Sequence, residues 1–315
     1  MGEDVDFENE IVVQAPGKVN LLIRVLDCLP NGYHGLWSLM HAVNVFDQLR
    51  IRLNTGHDQV RLTCENADLP VDRGNLVYRA AEAVLRRAER SVGVDIELKK
   101  AIPLAAGLGG GSSDAASTIY GCVKLLKLEW GLSELCDVGA ALGSDIPFFF
   151  HAPCAVVQGW GQEVTPYAIE GERWVVLVNP GFPIQTKWAY EQLASHRAGA
   201  IPVRSWAEAR ERSCPVSWDE VIVAMENDFE SPLFPLYPIL GFIKEKLLAL
   251  GAQASLLSGS GATVFGVFLT CDAAREAAAQ LRRDTHWMVF DVSMGTTALP
   301  HVPIPLKASS GAMSV

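Results

Sequence analysis

The chain has 315 residues, of which 49% are hydrophobic and 20% charged, so it is long enough for two modest domains with buried cores. Its net charge of −10 argues against non-specific binding to nucleic acid or to an anionic membrane. Its 7 cysteines include no C-x-x-C pair and fit neither a zinc site nor a disulfide framework. The acidic start lacks the features of a signal peptide, and no apolar run of about 18 residues predicts a membrane span. We therefore expect a cytoplasmic protein, a monomer or weak homodimer, with neither membrane nor nucleic acid as partner.

Hydrophobic spacing in the first half of the chain predicts strands mixed with helices. The predicted strands cover residues 11–14, 18–26, 46–53 and 94–98, with a turn at 15–17. The predicted helices cover residues 75–90, 115–126 and 133–142.

The second half continues the mixed pattern. We expect strands at 174–178 and 263–269, helices at 239–250 and 273–283, and a second glycine turn, Ser258–Gly261. Residues 195–220 have weak periodicity and predict a loose surface segment, and the tail after Pro300 is expected to be disordered. The order of elements indicates an α+β fold with a domain break near residues 160–172.

A glycine-rich run at Leu104–Asp114 is the strongest chemical signal in the sequence. It places glycine at 107, 109, 110 and 111, directly before Ser112 and a predicted helix. Glycines let backbone N–H groups approach a ligand, and a helix N-terminus attracts anions through its free N–H groups and its dipole. The run therefore predicts a phosphate site.

Two standard phosphate motifs do not fit this run. A dinucleotide fingerprint starting at Gly107 requires glycine at position 112, which is Ser112. A Walker loop ends in Gly-Lys-Ser/Thr, whereas the first lysine after the run is Lys124, and Gly17-Lys18 is followed by valine. The remaining alternative without a ligand is a glycine-rich turn with a serine N-cap.

Three polar residues elsewhere in the chain are candidates for a site that includes the glycine run. Lys18 and Asn20 are two positions apart in a predicted strand, so they share a face and can converge on a hydroxyl or a phosphate. Asp145 precedes Pro147 after a helix stop, which fits either an N-cap or a general base for a substrate hydroxyl.

Taken together, these motifs resemble the GHMP small-molecule kinases, named for galactokinase, homoserine kinase, mevalonate kinase and phosphomevalonate kinase. The resemblance is carried in chain order by Ala15-Pro-Gly-Lys18, by Pro103–Ser113 and by Ser258–Gly261. It implies a two-domain GHMP kinase fold, with a left-handed β-α-β unit in the N-terminal domain and a ferredoxin-like C-terminal domain. The expected bounds are 10–168 and 169–300, followed by a tail at 301–315.

The resemblance also implies a reaction and a set of site residues. Gly32-Tyr33-His34 and Gly143–Pro147 are similar to the family branch that phosphorylates a tertiary hydroxyl on a cytidine diphosphate derivative. By position, the catalytic pair is Lys18 and Asp145, and the small-molecule substrate contacts Asn20, Tyr33, His34, Thr186 and Tyr190. The residues implied for ATP are Pro103, Leu104, Ala105, Ala106, Gly107, Leu108, Gly109, Gly110, Gly111, Ser112, Ser113 and Asn75. Mg²⁺ is implied by the use of MgATP, and Ser113 is the first candidate protein ligand.

Overall fold

The computed structural model describes residues 9–28, 34–65, 69–197 and 217–294. Its strands are β1 (Glu10–Cys28), β2 (His34–Asn54), β3 (Val60–Cys64), β4 (Gly93–Lys99), β5 (Cys154–Gly159), β6 (Glu163–Pro166), β7 (Trp174–Asn179), β8 (Glu226–Asn227), β9 (Ala254–Leu257), β10 (Val264–Phe268) and β11 (Met288–Ser293). Its helices are α1 (Leu76–Arg87), α2 (Gly110–Leu125), α3 (Leu132–Ala140), α4 (Ile146–His151), α5 (Thr186–Arg197), α6 (Trp218–Ala224), α7 (Glu230–Leu236), α8 (Pro238–Ala249) and α9 (Cys271–Asp284).

The strands form two sheets. Within the described residues, the first sheet has the order β3-β4-β2-β1-β8, with β5 also paired to β2 and β6 paired to β5. The length of β2 makes this possible, because residues 48–54 pair with β4 while residues 36–41 pair with β5. The second sheet has the order β11-β7-β10-β9 and is antiparallel throughout.

The first strand differs from its prediction. The turn expected at 15–17 is wrong, because β1 runs unbroken from Glu10 to Cys28. At the expected turn, between Pro16 and Gly17, its register with β2 shifts but the pairing continues. A bulge accommodates a proline that cannot donate a ladder hydrogen bond. The strand predicted at 46–53 begins earlier, at His34, because residues 35–43 are buried on both faces and show no alternation.

Three apolar layers hold the two sheets and the helices together. The first lies between α1–α4 and the first sheet and includes Phe148 and Ile51. The second lies between the two sheets, where Leu21 and Leu39 pack in one cluster with Phe265. The third lies between the second sheet and helices α5 and α7–α9. The open edge between the sheets is where β1, α2 and the Ser258–Gly261 turn come together.

Most predicted helices are confirmed with small changes at their ends. The helix predicted at 75–90 is α1, which begins after the N-cap Asn75 and ends at Arg87. Helix α5 was not predicted, and residues 198–216 of the expected loose segment lie outside the described residues, as does the tail 301–315. None of the helices in the described ranges is long and apolar enough to cross a membrane.

Candidate active site

A cavity of about 1220 Å³ lies between the glycine-rich run, β1 and α5. Most of the residues predicted for the site line this cavity. They are Lys18, Asn20, His34, Asn75, Pro103–Ser112, Asp145, Thr186 and Tyr190. Ser260 of the second glycine turn and Phe229 also line it. The cavity is large enough for two medium-sized ligands side by side.

The glycine-rich run forms a sharp turn into α2. Gly107 and Gly109 have φ angles of +77° and +68°, a backbone region that favours glycine. Gly109 is the N-cap of α2, and no side chain caps that helix. The alternative of a serine N-cap is therefore wrong, and the first N–H groups of α2 are left without a capping side chain.

The second glycine turn packs directly on the first. Ser258 Oγ donates to the carbonyl of Gly107 at 2.9 Å, and Thr263 N donates to the carbonyl of Ala106 at 3.2 Å. A Cβ at Gly107 would lie 2.0 Å from the carbonyl oxygen of Ser258. Position 107 therefore has room only for glycine, and the two turns form one continuous wall of the cavity.

Lys18 lies buried between the glycine-rich run and Asp145. Its backbone N–H donates to the carbonyl of Leu108 at 2.9 Å, and its Nζ donates to Asn20 Oδ1 at 2.6 Å. Nζ is 3.8 Å from Asp145 Oδ2. Burial lowers the pKa of Lys18, and the charge of Asp145 opposes this. Lys18 and Asn20 thus share one face of β1.

Asp145 stands at the N-cap position of α4, but its side chain makes no capping hydrogen bond. Its side chain is 32% exposed and faces Lys18. The carboxylate is therefore accessible to a ligand in the cavity. This arrangement favours the general-base role over the capping role.

Aromatic rings form another part of the cavity wall, the aromatic wall. The rings of His34 and Tyr190 are nearly parallel, with centroids 5.9 Å apart and an interplanar angle of 15°. Tyr190 also packs edge-on against Phe229, with centroids 4.9 Å apart. Burial raises the pKa of Tyr190, so its hydroxyl stays neutral. Tyr33 lies outside the described residues.

For three other predicted residues, contacts or burial limit the role that each can have. Thr186 begins α5, and its Oγ1 lies 3.1 Å from Ser260 Oγ. Asn75 lines the cavity, and its side chain accepts from Val77 N and donates one of its two amide hydrogens to the carbonyl of Pro70. Ser113 Oγ is fully buried, and only Ser112 of the pair reaches the cavity. Ser113 therefore does not fit as a metal ligand.

A buried charged triad, two members of which line the cavity, was not predicted. Lys100 Nζ donates to Asp47 and, at 2.7 Å, to Asp114 Oδ2. Asp47 Oδ1 accepts from the backbone N–H groups of Ala101 and Ile102 at 2.6 and 2.9 Å. The triad thus connects β2 with the end of β4 and with α2. The last two are the elements that flank the glycine run in the chain.

The triad carries more negative than positive charge. Burial raises the pKa of Asp114 to about 7, since Lys100 only partly offsets the loss of hydration and the nearby charge of Asp47. Burial lowers the pKa of Lys100, but Asp114 and Asp47 outweigh it and the net shift is upward. Asp114 is therefore the member of the triad whose carboxyl resists ionisation.

We predict that Asp114→Asn changes the pH dependence of stability. An unfolded aspartate titrates near pH 3.9, so the native carboxyl keeps its proton up to a higher pH than the unfolded one. This contribution to the free energy of unfolding is present at low pH and is lost as pH rises through about 7. The amide side chain of the variant does not titrate, so the variant does not lose this free energy of unfolding as pH rises. Thermal unfolding should show the variant more stable, relative to wild type, at pH 8 than at pH 5; an equal difference at both values would contradict it.

Comparison with known proteins adds to this geometry. Residues 75–152 match the family described as GHMP kinases N terminal domain, and residues 215–285 match GHMP kinases C terminal. A relative from Geobacter sp. (strain M21), named 4-diphosphocytidyl-2-C-methyl-D-erythritol kinase, is 40% identical over 280 residues, which cover 88% of this chain and 96% of the relative. A relative of the same name from Syntrophus aciditrophicus (strain SB) is 40% identical over 89% of this chain and 98% of its own length.

Solved structures agree with the sequence relatives. A crystal structure of 4-(cytidine 5′-diphospho)-2C-methyl-D-erythritol kinase has a TM-score of 0.70 and 32% identity, covering 90% of this chain and all of that one. A homoserine kinase from Cytophaga hutchinsonii has a TM-score of 0.68 at 18% identity, covering 95% of this chain and 97% of its own, which shows a shared fold.

The fold, the paired glycine turns and these relatives define a small-molecule kinase that uses ATP. The chain belongs to the GHMP kinase family. The predicted α+β, two-domain GHMP kinase fold is therefore confirmed.

Proposed function

We propose that this chain transfers the γ-phosphoryl group of ATP to the 2-hydroxyl of 4-diphosphocytidyl-2-C-methyl-D-erythritol, giving the 2-phosphate and ADP. This reaction belongs to the non-mevalonate route to isoprenoid precursors. The single observation that carries the proposal is the Lys18–Asp145 pair, which lines one cavity together with the glycine-rich run and the aromatic wall. Relatives named for this enzyme, 36–40% identical over most of the chain, support it.

The glycine-rich run would hold the phosphates of ATP. The N-terminal N–H groups of α2 and the positive end of its dipole face this part of the cavity, where no side chain caps the helix. Residues 103–112 line the cavity, so backbone groups rather than long side chains form the donor wall. Asn75 would contact the nucleotide through the second hydrogen of Nδ2, because only one of the two donates to protein.

Mg²⁺ would enter as MgATP. The described residues contain no cluster of three or more metal-binding side chains, whereas the cavity wall includes the carboxylates of Asp114 and Glu191 besides that of the base Asp145. Magnesium in kinases is usually held by substrate phosphates with one or two carboxylates, and this residue set fits that pattern. When bound, the ion would neutralise phosphate charge.

The transfer step needs one base and one fixed cation. The acceptor oxygen forms a bond to the γ-phosphorus, the bond from that phosphorus to the leaving oxygen of ADP breaks, and the acceptor proton passes to Asp145. Lys18 Nζ is held by Asn20, so its position is fixed before the ligands bind. Lys18 would orient the hydroxyl and balance the charge of Asp145.

The aromatic wall would bind the cytosine of the acceptor. His34 can donate or accept at the edge of the base, and the ring of Tyr190 offers a flat surface for stacking. Thr186 and Ser260, which lie 3.1 Å apart, offer hydroxyls close to the same wall. The acceptor would then extend from this wall towards Lys18.

We predict that Tyr190→Leu raises KM for the cytidyl acceptor by about 5- to 160-fold, because base stacking on an aromatic ring contributes about 1–3 kcal/mol. Tyr190→Phe keeps the ring and should stay within about threefold of wild type. The KM for ATP should not change in either variant. Steady-state kinetics with varied acceptor test this, and a Leu variant with an unchanged acceptor KM would remove Tyr190 from the base site.

A further inference from the structure

The short segment from Glu226 to Glu230 joins three parts of the molecule that surround the cavity. Its acidic side chains bind groups on several of these elements. Glu226 pairs with Arg24 of β1, Asp228 accepts from Val25 N at 2.8 Å and from Arg197 of α5 at 2.6 Å, and Glu230 accepts from Leu257 N at 2.8 Å and from Lys244 of α8 at 2.5 Å. The segment is therefore fixed against β1, α5 and the strand that leads into the second glycine turn.

Asn227, at the centre of this segment, is bound to the second glycine turn. Its Nδ2 donates to the carbonyl of Leu257 at 2.7 Å and to the carbonyl of Gly259 at 2.8 Å. Its Oδ1 accepts from Phe229 N at 2.9 Å. The side chain is buried, and both amide hydrogens are used on one turn. Asn227 does not line the cavity.

The turn that Asn227 holds has two backbone N–H groups without a protein acceptor. Within the described ranges, the N–H groups of Gly259 and Ser260 make no hydrogen bond to protein, although both residues line the cavity. A Cβ at Gly259 would lie 3.3 Å from Lys18 Nζ, so the turn adjoins the buried cation. Backbone N–H groups require a partner, and successive N–H groups in a turn bind anions.

We propose that Asn227 is a positioning residue that presents the Gly259 and Ser260 N–H groups to a phosphate oxygen in the cavity. The ligand is the phosphoryl group in transfer or the diphosphate of the acceptor. Both groups would offer anionic phosphate oxygens to the turn beside Lys18. The inference rests on the proposed function. It adds a second anion site beside the glycine-rich run, built from the C-terminal half of the chain.

The test compares Asn227→Asp and Asn227→Ala with Thr270→Ala. Asn227→Asp is nearly isosteric and keeps the acceptor for Phe229 N but loses both donors to the turn. Thr270 caps α9, away from the cavity, by accepting from Ala273 N, so Thr270→Ala reports on loss of stability alone. Each protein is examined by thermal unfolding, by calorimetric titration with MgADP, and by steady-state kinetics with the cytidyl acceptor.

We expect both Asn227 variants to fold and to bind MgADP within about twofold of wild type, because ADP lacks the transferred group. Their kcat/KM for the acceptor should fall by about 30-fold or more, as for the displacement of oxyanion donors. A fall in kcat assigns the site to the phosphoryl group in transfer, and a rise in acceptor KM assigns it to the diphosphate. Thr270→Ala should melt earlier but keep its kinetics.

Three results would overturn the proposal. The first is kinetics within about threefold of wild type in both Asn227 variants. The second is an equal loss of MgADP binding, which would mean that Asn227 acts through the glycine-rich run. The third is failure of both variants to fold while Thr270→Ala folds, which would assign Asn227 to stability. A wild-type protein that binds MgADP but leaves the cytidyl acceptor unchanged would instead count against the proposed function.

Discussion

Replacing Asp145 with Asn is expected to lower kcat by about 10²–10⁴-fold, the usual contribution of a general base, while MgATP affinity stays within about threefold. The amide has nearly the shape of the carboxylate but cannot accept the acceptor proton in the same way. Asp145 lies beside the cavity with no capping hydrogen bond, so its removal leaves α4 intact. Rapid-quench measurement of the transfer step and calorimetric titration with MgATP separate the two effects.

Asp137→Asn is the matched control for this prediction. Asp137 is an exposed carboxylate on α3 that pairs with Arg87 at 3.6 Å and does not line the cavity. The control should keep wild-type kinetics, because an exposed ion pair contributes little. If Asp145→Asn itself kept the rate within about threefold of wild type, the base role would be wrong.

Gly107→Ala is expected to have the second large effect, on both stability and activity. The added Cβ would lie 2.0 Å from the carbonyl oxygen of Ser258, and φ is +77°. The contact is between backbones, so no side chain can rotate away. The glycine-rich run and the second glycine turn must then separate. We expect kcat/KM to fall by about 100-fold or more and the urea midpoint of unfolding to fall clearly.

Gly251→Ala separates backbone strain from the clash between the two turns. Gly251 has φ of +94°, and nothing lies within 4 Å of a Cβ built there. This control should lose only about 1–2 kcal/mol of stability, which is the cost of a Cβ in the left-handed region, and should keep full activity. Equal loss of stability in the two variants, with activity retained in both, would show that the contact between the turns is not needed.

The local features of the site could be predicted from the sequence. Four glycines before a helix predicted an anion site, and the structure has two of them at positive φ at the start of α2. The spacing of Lys18 and Asn20 predicted a common face, and the two side chains do bond to each other. These features depend on neighbours within a few residues, where periodicity and backbone preference decide the conformation.

Contacts between distant segments could not be predicted from patterns in the sequence. Ser258 bonds to Gly107 across 151 residues, and Asn227 holds Gly259 from a short segment with no recognisable period. The pairing of Lys18 with Asp145 was expected only through the family resemblance. The unbroken β1 was also missed, because Ala15-Pro-Gly has the composition of a turn but its pairing with β2 keeps it extended. In each case tertiary pairing decides the outcome.

The account's central claim is tested most directly by an acceptor panel. The purified chain is incubated with MgATP and, separately, with 4-diphosphocytidyl-2-C-methyl-D-erythritol, homoserine or mevalonate, and the products are followed by ADP release and phosphorus NMR. We predict that the cytidyl compound alone is phosphorylated, at its 2-hydroxyl. Turnover of homoserine or mevalonate, with none of the cytidyl compound, would contradict the account.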